Sequence, residues 1–329
     1  MVDVMKQRLF TYLFLMLALL ANLLLPGCAT RPTTQEVVDL HYTSHDEASR
    51  LGRYAPVIVP HETHLTHNQI GRAAARFDHK GNEEIYIATD QPVFYTSEQT
   101  FTSKSGRSYH NLYYRFHFTH VPHPRLTAGR NVGLYVVITL NEQQQPLLIT
   151  TVHSCGCYLT FIPTSYLPTS AYPDDWDITS QQVYGEQLPG RLDYPADFNT
   201  DWRPLIQLRS NNHRVMNVKL TSFSSLAETL TPVEIKPVET LERLPLGDGH
   251  TSLYHNDGRH QGYVKGSFKP WELLLMSWWA FDFHIGRDKQ LGDPAETGTV
   301  FYTSLKPWAR DESNMWFFAD FLDYWGWRF

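Results

Sequence analysis

The chain has 329 residues, of which 42% are hydrophobic and 14% aromatic, with a formal net charge of −6. That length is ample for a sizeable core, and 18 Tyr, 18 Phe and 9 Trp can fill one without a disulfide framework, for which three cysteines are too few. The mildly acidic balance, with no basic patch or stripe, excludes the footprint of a nucleic-acid binder, and no block of like charge marks an acidic tail or a basic arm.

Lys6 and Arg8 precede an apolar run over 9–25, interrupted by Thr11, Tyr12 and Asn22, that closes with Leu25-Pro26-Gly27-Cys28. A positive start, an apolar stretch and small residues, in that order, predict a secretory leader rather than part of the fold. The alternative is an uncleaved anchor, at the short end of what crosses a bilayer. The Leu-Pro-Gly-Cys ending resembles the lipobox of bacterial lipoproteins. The resemblance covers the leader alone. It implies a signal peptide over 1–27, cleavage before Cys28, alkylation of the Cys28 thiol with diacylglycerol, and acylation of the new amino terminus with a palmitate-class chain. The membrane would then hold the protein through this lipid. In Gram-negative lipoproteins an aspartate after the cysteine retains the protein at the inner membrane. Ala29 stands there instead, which implies outer-membrane sorting in such a cell, with the domain outside the cytoplasm.

After a lipidated tether over 28–35, a modest helix is expected over 35–51. The signal then turns to β: short β-branched and aromatic stretches separated by Pro, Gly, Asn and Asp predict strands at 55–59, 84–89, 109–121, 132–140, 146–152, 158–162, 205–209 and 214–220. Tyr114, Phe116 and Phe118 alternate with Arg115, His117 and Thr119, the pattern of a half-buried strand. The nearly all-apolar 132–140 reads as a central strand, with a hairpin at 141–145. Residues 166–200, rich in Pro, Asp and Tyr, read as a long irregular excursion. Residues 270–283 have helical length and Pro270 suits a first turn; being apolar nearly all round, this helix is either buried or membrane-associated. A second helix is expected over 311–324, with Met315, Phe318 and Leu322 on one face. The expected fold class is α+β: a mostly antiparallel β-sheet with aromatic-rich C-terminal helices, a β-rich domain over 36–245 and a helical region over 246–329 packed on it.

One constellation carries chemical content. His153, Cys155 and Cys157 follow a predicted strand. If the strand continues, all three project to one face and supply three ligands of a tetrahedral metal such as zinc or copper, with His117 or His120 as the fourth. If the chain bends at Gly156 instead, the two thiols can pair as a disulfide, because an extended strand holds their Cα atoms too far apart, at roughly 6.6 Å. The plain alternative is a pair of small buried residues in a tight turn. A second group, Asp248, His250, His255, Asp257 and His260, lies in a Gly-rich stretch and has residue types suited to acid–base work. No nucleophile elbow, phosphate loop or dinucleotide fingerprint occurs. The absence of a catalytic motif favours a non-enzymatic envelope lipoprotein that binds an envelope protein partner or stabilises an assembly. The alternatives are a redox or metal protein centred on His153, Cys155 and Cys157, and a hydrolase using the His250–His260 loop.

Overall fold

The computed structural model describes residues 39–226 and 229–329. The expected signal peptide, Cys28 and the expected tether lie outside the described residues. Residues Asp39–Phe329 cluster as one compact unit, an α+β fold made mostly of antiparallel sheet.

A six-stranded sheet forms its middle, in the order Glu234–Pro237, Val93–Thr102, Ser108–Val121, Gly129–Leu140, Pro146–His153, Thr160–Pro163. Only the first pairing is parallel. A five-stranded mixed sheet packs over one face, in the order Val215–Ser222, Trp202–Leu208, Val57–Pro60, His41–Thr43, Leu230–Pro232. The central Gly129–Leu140 strand shows why the sheet needs two covers. Leu134, Val136 and Ile138 point into the core shared with the five-stranded sheet. Tyr135 and Val137 point the other way, into a second core built with Phe301, Met315, Phe318, Phe321, Leu322, Trp327 and Phe329. Alternate residues serve opposite faces, so a strand covered on both sides is apolar at every position. The hairpin expected at 141–145 joins this strand to Pro146–His153.

The same double cover overturns the half-buried reading of 114–119. Tyr114, Phe116 and Phe118 enter the first core as expected, but Arg115 and His117 are fully buried as well. The segment that covers them arrives more than 130 residues later, with Tyr254 and Lys289.

The helix expected over 35–51 does not form in its described part. His41–Thr43 is a strand, and the Asp46 carboxylate accepts from Ala48 N at 3.0 Å and from Ser49 Oγ at 2.5 Å. That local turn competes with a helix and leaves one helical turn, Arg50–Arg53, capped by Ser49. The second late helix is shorter than expected, Phe318–Tyr324. Its predicted start is held in an extended pairing, with Met315 N donating to Phe301 O at 3.0 Å and Asn314 bridged to Tyr302. Met315, Phe318 and Leu322 are nonetheless all buried in the second core. The stretch 166–200 contains a ribbon, Ser180–Val183 with Glu186–Pro189, and strands at Val93–Thr102 and Arg72–Phe77 add to those expected. Among the described residues no helix is long and apolar enough to cross a membrane.

Candidate functional site

The central sheet's Pro146–His153 strand ends at His153, and there the chain reverses instead of continuing. Gly156 N donates to His153 O at 2.7 Å and His153 N donates to Cys157 O at 2.9 Å. Gly156 has φ +89° and Tyr158 φ +55°. This bend overturns the expectation that three side chains project from one extended strand. It brings the Cα atoms of Cys155 and Cys157 to 5.5 Å and their sulfurs to disulfide-bonding distance. Gly156 supplies the left-handed conformation, as the disulfide alternative requires.

The turn is pinned from beneath. Ser154 N donates to Gly133 O at 2.8 Å, Lys289 N donates to Ser154 O at 2.7 Å, and Lys289 Nζ donates to Cys155 O. A Cβ on Gly156 would lie 2.1 Å from Tyr302 O. Gly156→Ala therefore combines a positive φ with a backbone clash. It is expected to cost about 2–4 kcal/mol of stability and to separate the two thiols, which urea denaturation and thiol alkylation of the variant check.

The pair forms part of the wall of a mostly apolar cleft of about 240 Å³, lined also by Leu126, Tyr158, Tyr184, Glu272, Met276, Ile285 and Tyr302. Cys155 is buried and Cys157 partly exposed. Behind the cleft lies a cluster of buried charges. Asp288 accepts from Gly133 N at 2.9 Å, from Lys269 Nζ at 2.7 Å and from Ser154 Oγ. Burial pushes the Asp288 carboxyl up, but the Lys269 ammonium and the hydrogen bonds from Lys269 and Ser154 outweigh it and hold the group below the usual carboxylate range. Burial pushes Lys269 down, and the carboxylates of Asp288 and Glu272 more than restore it. Lys289 is different. Burial pushes its ammonium down to about 7 against the upward pull of Asp282, and its Nζ sits 3.7 Å from the centroid of the Tyr302 ring. Burial also raises Glu272. Arg115 donates to His117 Nε2 at 3.0 Å, to the hydroxyls of Tyr135 and Tyr254 at 2.6 and 2.7 Å, and to Lys289 O at 3.2 Å.

The His153, Cys155 and Cys157 ligand atoms lie within 4.8 Å of one another. Burial holds the His153 imidazole neutral, its pKa down at about 4. Its Nε2 is 3.2 Å from His213 O; a carbonyl only accepts, so the proton is on Nε2 and the Nδ1 lone pair is the one left for a ligand bond. The two histidines expected as a fourth ligand lie elsewhere. His117 is held by Arg115 on the far side of Gly133, whose pairing partner it is. His120 stands beside His67, ring centroids 5.2 Å apart. Across the hairpin His153 pairs with Leu134.

The second predicted group divides. Asp248 and His250 are exposed on the small Leu244–Leu246/Gly249–Thr251 hairpin. His255 and His260, with Asp257 between them, lie in the next loop with ring centroids 5.7 Å apart, and His260 meets His284 at 5.8 Å. Sequence reasoning missed Lys269, Glu272, Asp288 and Lys289. The available signal was charge placed immediately before, within and after an otherwise apolar helix. Comparison with family models, with curated proteins and with solved structures finds no match to this chain.

Proposed function

We propose that this chain is a lipid-anchored bacterial envelope lipoprotein whose chemistry is thiol–disulfide exchange at Cys155 and Cys157. The lipobox-like Leu25-Pro26-Gly27-Cys28 supports the anchor and an oxidising compartment, where paired cysteines persist as disulfides. The observation that carries the chemistry is the position of the pair, at bonding distance in the wall of an open apolar cleft with Cys157 within reach of solvent. A bridge across so short a loop is a poor staple: chain entropy supplies only about 1.6 kcal/mol.

In the proposed step a donor thiolate attacks Cys157 Sγ and forms a mixed disulfide. The Cys155–Cys157 bond breaks, its electron pair passes to Cys155 Sγ, and that sulfur takes a proton. The donor's second thiol then displaces Cys157 as a thiol. The donor dithiol is oxidised to a disulfide by two electrons, and the pair is reduced by the same two electrons and two protons. In its protonated form, which burial confines to pH below about 7, the Lys289 ammonium bonded to the Cys155 carbonyl stabilises negative charge developing on the leaving sulfur.

Intact mass spectrometry of the polypeptide from Ala29 to Phe329, exported to a periplasm, tests this reading. The expected result is a mass short by two hydrogens and alkylation blocked until a mild thiol is added. Two free thiols in material from an oxidising compartment overturn it. A second reading applies to the reduced pair. The proximity of three ligand atoms and the His153 tautomer favour a soft-metal site, zinc or copper, at His153, Cys155 and Cys157. Extra mass in the native spectrum, lost on denaturation, is its signature. The envelope partner expected from the sequence remains part of the proposal as the donor or acceptor of the exchange.

A further inference from the structure

A helix on the surface of a water-soluble fold turns its polar residues outward. The Pro270–Ala280 helix does the reverse. Glu272, Ser277 and Ala280 are its buried residues, Glu272 lying beside the Lys269–Asp288 pair, while Leu274 is 64% and Trp278 70% exposed. Trp271, Leu274, Leu275 and Trp278 follow the i, i+3, i+4, i+7 spacing, so they form one stripe along the helix. The stripe continues past the helix end into Phe281 and Phe283, 77% and 79% exposed.

We propose that this stripe lies in the interfacial layer of a lipid bilayer, with the helix parallel to the surface and Trp271, Leu274, Leu275, Trp278, Phe281 and Phe283 at the headgroup–acyl boundary. Three observations select lipid over other occupants. Tryptophan with aliphatic residues is the composition of interfacial helices. Cations stand at both ends: the Arg287 guanidinium lies 5.1 Å from the ring centroid of Phe268, itself exposed just before the helix, and Arg310 donates to Ala280 O at the helix end. Both cations are only partly exposed, so they lend positive charge to the surface beside the stripe, which suits anionic headgroups, while remaining engaged within the fold. Finally, the inference rests on the anchor proposed at Cys28. Ten residues separate Cys28 from Asp39, where the described chain begins, and the eleven steps between them span at most about 40 Å. A domain so tethered stays within reach of the bilayer that holds its lipid. The cleft beside Cys155 shares Glu272 and Met276 of this helix, so its mouth would open close to the membrane surface.

The test uses the unlipidated polypeptide from Ala29 to Phe329, whose described part is a compact unit with its own cores. It is mixed with vesicles of phosphatidylethanolamine and phosphatidylglycerol. Flotation with the vesicles, a blue-shifted tryptophan emission and quenching by brominated acyl chains are expected. Leu274→Glu and Trp278→Ser, both at exposed positions, should each weaken partitioning by about tenfold or more while leaving the denaturation midpoint unchanged. No flotation, flotation equal in the variants, or a concentration-dependent dimer that hides the stripe and ignores vesicles would each overturn the proposal. The anchor is read separately, from acyl mass on Cys28 of the full chain recovered from membranes. Acyl mass without flotation of the unlipidated polypeptide overturns the docking face alone, and flotation without acyl mass overturns the anchor alone.

Discussion

Asp288→Ala is expected to lower stability by about 3–5 kcal/mol, the cost of breaking a buried ion pair by removing one partner. The carboxylate neutralises Lys269 at 2.7 Å, where both side chains are almost fully buried, and it also takes the Gly133 amide and the Ser154 hydroxyl. Its loss leaves a buried ammonium and two donors without partners. Ordinary domains are held by roughly 5–15 kcal/mol in total, so urea denaturation should show a large drop in midpoint. The double variant Lys269→Met, Asp288→Leu should recover much of that loss, because apolar residues of similar volume often replace a buried pair without penalty. A double variant no better than Asp288→Ala alone would mean that the Ser154 and Gly133 bonds, rather than the charge, carry the effect. Because Ser154 sits next to Cys155, loss of the carboxylate should also loosen the turn and raise the rate at which a mild thiol reduces the pair.

Trp327→Ala is expected to cost a similar amount, about 3–5 kcal/mol, by emptying the second core. Trp327 is third from the end of the chain yet almost completely buried, with ring centroids 4.8 Å from Trp176, 5.4 Å from Phe161 and 5.7 Å from Tyr172. Its Nε1 is buried with no hydrogen-bond partner among the described residues. Trp327→Phe therefore loses volume but also removes an unpaired donor, and its cost should be smaller, about 1–2 kcal/mol. Equal losses in the two variants, measured by thermal and urea denaturation, would assign the stability of this region to something other than the packed ring.

The parts of the fold that were legible in the sequence are those set by neighbours along the chain. Residues 132–140 read correctly as a central strand because burial on both faces leaves no polar position to misplace, and the polar 141–145 marked the hairpin. The bend at Gly156 is one of the alternatives that the Cys-Gly-Cys spacing leaves open, and the structure adopts it with the two sulfurs at bonding distance. What failed was set by residues far away. Arg115 alternates with aromatic neighbours as a solvent-facing residue would, and nothing near it in sequence announces that Tyr254 and Lys289 will close over it. Periodicity records only that the helix starting at Pro270 is apolar, which leaves a buried and a membrane-associated segment equally open. Its exposed stripe became visible only with Glu272 placed inward beside the Lys269 ammonium. The candidate site divides the same way. The cysteines are two apart and could be seen, whereas the charges behind them meet only because residues 254–302 fold back across the sheet.

The position of Trp327 and Phe329 in the second core sets an order of events in biogenesis. A polypeptide emerges from the ribosome, or through a translocation channel, from its amino end. One face of the six-stranded sheet is thus complete in sequence long before the residues that cover it have been delivered. Until residues 301–329 have been delivered, Tyr109, Tyr135 and Phe161 lack the rings they pack against, Phe329, Phe301 and Trp327, and present an open aromatic surface.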